Sequence, residues 1–274
     1  MNLEHILHDL FKNESYCLQE SGKGLTNHNL LCTVHDQQYM IRIPHEDSEH
    51  IVDRHHEAKA LALIKDKNLD VEEIYFNEEN GIRITKYHND LLEYETCNDS
   101  NKVEKVAHLM RKLHDLQATI GESFDPIKRL EQYSSHIKQP IYDCTPFKVV
   151  IEQVRNMKHH EILCHNDWVS GNILFSKDQT YLIDYEYAAD NDPLFDVMSF
   201  FSENQILDET LRNRFYKIYF ENETIPYQAL TIWENFQNLL WCTWAMMMYE
   251  ARSDIVYKEI ATWKYAALVK KMSK

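Results

Sequence analysis

The stretch LCHNDWVSGNILF at 163–175, followed by TYLIDYEY at 180–187, constrains this chain more tightly than any other. A polar segment with apolar runs on both sides leads into two very short strand signals, with a turn at Lys177 and Asp178 between them. In the second signal Tyr181 and Ile183 alternate with Leu182 and Asp184. Helical periodicity dominates on either side, so the pattern predicts a small hairpin lodged among helices. Asp167 and Asn172 then stand before its first strand and Asp184 at the end of its second. Two carboxylates and an amide oxygen converge at one edge.

The remainder divides in two. Up to about residue 85 the signals are mixed: CLQESGKGLTNHNLLCTVHDQQYMIRI reads as two or three strands around a turn at Ser21 to Asn29, and VEEIYF and GIRITKY read as two more. Between them Ile51, Ala58, Leu61 and Ala62 fall on one helical face. From about residue 99 helices take over. Val103, Val106, Ala107, Met110 and Leu113 repeat at helical spacing behind a capping signal at Asp99, Ser100 and Asn101, and the last fifty residues read as helical almost throughout.

Composition closes several alternatives. With 274 residues, 44% hydrophobic and 12% aromatic, the chain has apolar surface enough for a sizeable core and is not disordered. A formal charge of -15 argues against a nucleic-acid partner, since phosphate backbones are bound by clustered Lys and Arg. The six cysteines are scattered without a C-x-x-C pair, as expected of reduced thiols in a cytoplasmic protein. MNLEHILHDLFKNE lacks the basic start of a signal peptide, and the longest apolar run, LLWCTWAMMMY at 239–249, is too short to span a bilayer.

The convergent set suits phosphoryl transfer. Magnesium takes hard oxygen ligands and keeps some of its waters, so an Asp and an Asn beside nucleotide phosphates suffice to hold it. A second Asp can accept the proton of an attacking hydroxyl. His165-x-Asp167-x-x-x-x-Asn172, with Asp184 downstream, has the spacing of the kinase catalytic loop, although Asp184-Tyr185-Glu186 replaces D-F-G. A lone H-x-D is more often a turn cap. The hairpin and the third member reverse that preference.

These residues carry a resemblance. CHNDWVSGNILF, YLIDYEYAADND and FDVMSFFSE are similar to the choline/ethanolamine kinase family, in particular its smaller bacterial choline kinases, within the aminoglycoside-phosphotransferase-like and protein-kinase-like superfamily. The likeness is dense from about 163 to 203 and thin before 100. It implies an α+β, bilobal protein-kinase-like fold, with a small antiparallel-sheet N-lobe at 1–86 that clamps nucleotide and a larger, mainly helical C-lobe at 87–274 for catalysis and substrate binding. It also implies ATP and Mg2+ as cofactors and a small amino alcohol as acceptor.

By the same resemblance Asp167 matches the catalytic Asp, Asn172 and Asp184 the magnesium ligands, and His165 and Asp196 the residues that brace the loop. Gly24, Thr26 and Asn27 match the phosphate loop, and Arg42 stands where the phosphate-binding basic residue is found. Glu57 is the natural partner of Arg42, because it shares a helical stripe with Leu61 and Ile64 that should pack toward the sheet. Lys86 and Tyr87 fall where a hinge would bond adenine through backbone groups. Trp241 and Trp244 lie three apart on one helical face. On spacing alone such a pair is core, but the family uses W-x-x-W together with positions matching Tyr187 and Glu203 to surround a trimethylammonium group. That set points to choline as acceptor, with ethanolamine, thiamine or an aminoglycoside as alternatives. A non-catalytic pseudokinase has no need of all three polar residues, and a metal hydrolase built on His165 and Asp167 would turn over without ATP. The histidine pairs 55–56 and 159–160 are adjacent and make poor metal sites.

Overall fold

The computed structural model describes residues 3–12, 14–22, 27–45 and 52–272. The chain opens with α1 (Leu3–Phe11), in which Leu3, Ile6, Leu7 and Leu10 fall at i, i+3, i+4 and i+7. That stripe lies on a five-stranded antiparallel sheet of β1 (Tyr16–Glu20), β2 (Asn27–Val34), β3 (Gln37–Pro44), β4 (Glu73–Phe76) and β5 (Arg83–Lys86), in the order β1-β2-β3-β5-β4. Alternation on β2 turns Leu30, Cys32 and Val34 inward, where they meet Ile41, Ile84 and the α1 stripe in a small core of their own.

Between β3 and β4 runs α2 (Arg54–Ile64), capped by Asp53, whose carboxylate accepts from the amides of His55 and His56. Its buried face is Glu57, Ala60, Leu61 and Ile64, while Ala62 is exposed and Ile51 lies outside the described residues. The expected stripe through Ala58 and Ala62 is thus rotated. Its expected partner differs too: Ala60, Leu61 and Ile64 join the large core of the second half, beside Leu69 and Tyr185. In a helix this polar, a few small and apolar residues fix neither the buried face nor what it is buried against.

The second half is mainly helical. It contains α3 (Lys102–His114), α4 (Pro126–Ser135), α5 (Val149–Arg155), α6 (Pro193–Glu203), α7 (Glu209–Tyr219), α8 (Tyr227–Arg252) and α9 (Ile255–Met272). All five predicted inward residues of α3 are buried; of its capping signal, the Asp99 carboxylate accepts from the Asn101 amide at 2.8 Å, while Asn101 itself makes no side-chain cap. α8 is buried nearly all round from Trp233 to Met246 and is packed by α4, α5, α6 and α9. Two short pairings complete the fold: β7 (Ile162–Cys164) with β10 (Ala189–Asn191), and the hairpin of β8 (Ile173–Phe175) and β9 (Thr180–Leu182) with β6 (Leu92–Glu93) on its open edge. The first sheet ends at Lys86, and among the described residues no helix is long and apolar enough to cross a membrane.

Candidate active site

The loop between β7 and β8 is held from beneath by one carboxylate. Asp196, fully buried in the first turn of α6, accepts from the amides of His165 at 2.9 Å and Asn166 at 2.7 Å and from His114 Nε2 at 3.0 Å. Burial pushes its pKa up, but the hydrogen bond and charge of His114 outweigh that and hold it below the ordinary carboxylate range. His114, Cys164 and Asp196 bring their ligand atoms within 4.8 Å of one another. Each is bonded already: His114 Nδ1 to the Tyr219 hydroxyl and Cys164 Sγ to the Asn191 carbonyl. This is a hydrogen-bonded core cluster.

Above it the loop is locked at two further points. His165 Nε2 bonds the Ile183 carbonyl at 3.0 Å, tying the loop to the far strand of the hairpin, and burial lowers its pKa and keeps the ring neutral. Asn166 sits at φ +67°, a conformation Asn tolerates, and its amide donates to the Tyr187 carbonyl at 3.0 Å while its oxygen accepts from Asn191 at 2.8 Å. Sequence reasoning passed over Asn166, because its work is done by contacts with residues more than twenty positions away.

So braced, the loop presents Asp167. Asn172 Nδ2 donates to Asp167 Oδ2 at 2.9 Å and to its carbonyl at 3.1 Å, which turns Asn172 Oδ1 the other way. Desolvation raises Asp167 well above the ordinary carboxylate range, and the charges of Glu203, Asp184 and Glu186 add to that against the bond from Asn172. Asp184 follows β9 in the left-handed region, φ +65°, and its Oδ1 receives Arg42 Nη1 at 2.5 Å. Arg42 also reaches the Glu57 carboxylate at 2.7 Å and the Gly81 carbonyl at 3.4 Å. One buried guanidinium therefore joins β3, α2 and the hairpin. Asn27 adds a second tie, donating from Nδ2 to Glu186 Oε2 at 2.8 Å. Glu186 was not singled out from sequence, although it stands two residues after Asp184.

Of the other expected positions, Gly24 and Thr26 lie outside the described residues. Lys86 and Tyr87 stand at the end of the first sheet, and their amides donate to the Glu72 and Gln38 carbonyls, both at 2.9 Å. The aromatic residues do assemble. Tyr187 meets Trp241 edge to face at 6.1 Å, Trp241 meets Trp244 at 5.9 Å, and Trp244 meets Tyr257 of α9 at 5.6 Å. Tyr257 extends the row beyond the sequence expectation. Glu203, at the end of α6, bonds the fully buried Lys264 at 2.5 Å, a partner that sequence reasoning missed because a lone lysine in a helix reads as solvated.

A pair of hairpin acids beside a loop Asp–Asn pair, gripped by an Arg–Glu couple from the first sheet and its helix, is an arrangement for handling phosphate and a hydroxyl. Residues 18–226 match the choline/ethanolamine kinase family. The chain belongs to that family. Protein LicA of Haemophilus influenzae is 27% identical over 243 residues, covering 82% of this choline/ethanolamine kinase chain and 91% of the relative. The crystal structure of choline kinase LicA from Streptococcus pneumoniae superposes with a TM-score of 0.86 at 23% identity over 99% of both chains. A LicA complex with AMP gives 0.80 at 22% identity, covering 97% of this chain and 98% of the other. The fold is the bilobal protein-kinase-like one. As a choline/ethanolamine kinase family member, the chain is a phosphotransferase that acts on an alcohol.

Proposed function

We propose that this protein transfers the γ-phosphate of ATP to the hydroxyl of choline, giving phosphocholine. The observation that carries the reading is the Asp167–Asn172 pair beside Asp184, with the Tyr187–Trp241–Trp244 row next to it. In this reading Asp167 orients the acceptor hydroxyl. Asn172 occupies Asp167 Oδ2, so Oδ1 receives the proton as the new P–O bond forms. The aromatic faces hold a trimethylammonium group, which has no N–H to donate and is attracted by ring quadrupoles.

Nucleotide and metal fit the residues at the site. Asn172 Oδ1 and the second oxygen of Asp184 are hard donors in a corner where burial, and after it the charges of Glu203, Asp184 and Glu186, raise Asp167, and a divalent cation offsets that charge. Asn172 and Asp184 would hold magnesium, and Arg42, kept in place by Glu57, would face the phosphates. Magnesium-bound ATP supplies the transferred phosphoryl group and the neutralisation of its oxygens. His165 and Asp196 fix the loop, and Asn27 fixes Glu186.

The test is ADP release with magnesium-ATP and choline, ethanolamine, thiamine or kanamycin, with Asp167→Asn alongside. Choline-dependent turnover that falls by about 10²- to 10⁴-fold in the variant is expected for a lost general base. Equal rates with and without every acceptor would sink the assignment.

A further inference from the structure

The acid at the end of α6 does not stand alone. Lys264 Nζ, with no exposure at all, donates to Glu203 Oε1 at 2.5 Å and to Ser202 Oγ at 3.1 Å, and Ser202 Oγ in turn donates to the same Glu203 oxygen at 3.1 Å. The ammonium also lies 4.4 Å from the Trp263 ring centroid. A lysine is buried this deeply only when its charge is met, and Glu203 meets it.

The pair sits beside the site. Glu203 exerts the largest charge effect on Asp167. Tyr257, Ala261 and Lys264 fall at i, i+4 and i+7 on α9, one face of that helix. Tyr257 touches Trp244, and the Ala261 carbonyl accepts from Cys242, between the two tryptophans. Lys264 is therefore two turns along α9 from Tyr257, which meets the tryptophan row, and one turn beyond Ala261.

We infer that Lys264 is a specificity-determining residue that favours a quaternary ammonium acceptor over a primary one. The inference rests on the choline kinase reading above. A primary ammonium carries three N–H donors and must find acceptors for them when it leaves water; a quaternary one has none and asks only for ring faces. Glu203 is the carboxylate that would serve those donors. Its Oε1 is already occupied by the Lys264 ammonium and the Ser202 hydroxyl, so the corner answers the N–H donors of a primary amine poorly, whereas a quaternary one brings no donors to be left unmet.

The experiment compares kcat/KM for choline and ethanolamine in the native enzyme, in Lys264→Met and in the double variant Glu203→Gln with Lys264→Met. Unmasking Glu203 should move the ratio toward ethanolamine by about 10- to 100-fold, the value of one charge-assisted hydrogen bond, through the KM for ethanolamine rather than through kcat. The double variant, neutral again, should return toward the native preference. A proportional loss for both substrates in Lys264→Met assigns Lys264 a purely structural role and overturns the inference, with the function untouched. A native enzyme that turns over neither substrate overturns the function itself. Should Lys264→Met fail to fold, competition on the native enzyme decides: tetramethylammonium should inhibit choline turnover more strongly than methylammonium by about tenfold or more. Equal inhibition overturns the inference.

Discussion

Single residues here matter through what they hold. Asp196 makes no contact with any reacting group, yet it receives two consecutive loop amides and a histidine ring in a fully buried position. Asp196→Asn keeps the volume but turns one acceptor oxygen into a donor aimed at those N–H groups. The expected cost is about 1–3 kcal/mol for buried donors left unpaired, read as a lower urea midpoint, with a fall in kcat from a loosened loop. An unchanged midpoint would show that another acceptor takes over. Residues of this kind divide by how far a short motif reaches. His165, Asp167, Asn172 and Asp184 were legible because they recur at fixed spacing in one segment. Asn166, Glu186 and Lys264 were not, since nothing local marks a side chain whose partner is remote.

Elements were legible where their period was regular. The strands at 16–20, 27–34, 37–44, 73–76 and 83–86 and the α3 stripe follow from alternation and helical spacing. What α2 packs against did not, because a stripe carries no address. Turns are where local sequence speaks most directly. Between β4 and β5 the chain reverses at Gly81, φ +69°, with the Asn77 side chain accepting from the Asn80 amide and Asn80 from the Ile82 amide. A Cβ on Gly81 would stand 2.7 Å from Pro44 Cγ and 2.9 Å from Arg54 Nε. Gly81→Ala therefore meets a positive φ and a crowded neighbour at once, and a destabilisation of at least about 1–2 kcal/mol is expected from the backbone alone. Because the Gly81 carbonyl accepts from Arg42, a rise in the KM for ATP should accompany the lower urea midpoint. A variant that keeps both native values contradicts this account of the turn.

The whole molecule is two cores, with the apolar face of α2 packed into the larger one and polar ties reaching across from the first sheet. The small core under the first sheet and the large helical one were foreseeable as classes of structure, from the change in period near residue 99. Their docking was not, because it depends on the apolar face of α2 reaching the larger core, on Arg42 reaching Asp184 across 142 positions and on Asn27 reaching Glu186 across 159. Those two bonds also carry a consequence in time. Closing so long a loop costs more entropy than the local contacts of the helices, and chains of this size fold in stages. On dilution from urea, far-ultraviolet circular dichroism should return first. Competence for ADP release should lag behind it, because Asp184 meets Arg42 only when the first sheet arrives. Coincident recovery would mean that the two cores assemble as one cooperative unit, with the acids of the hairpin set from the start of folding.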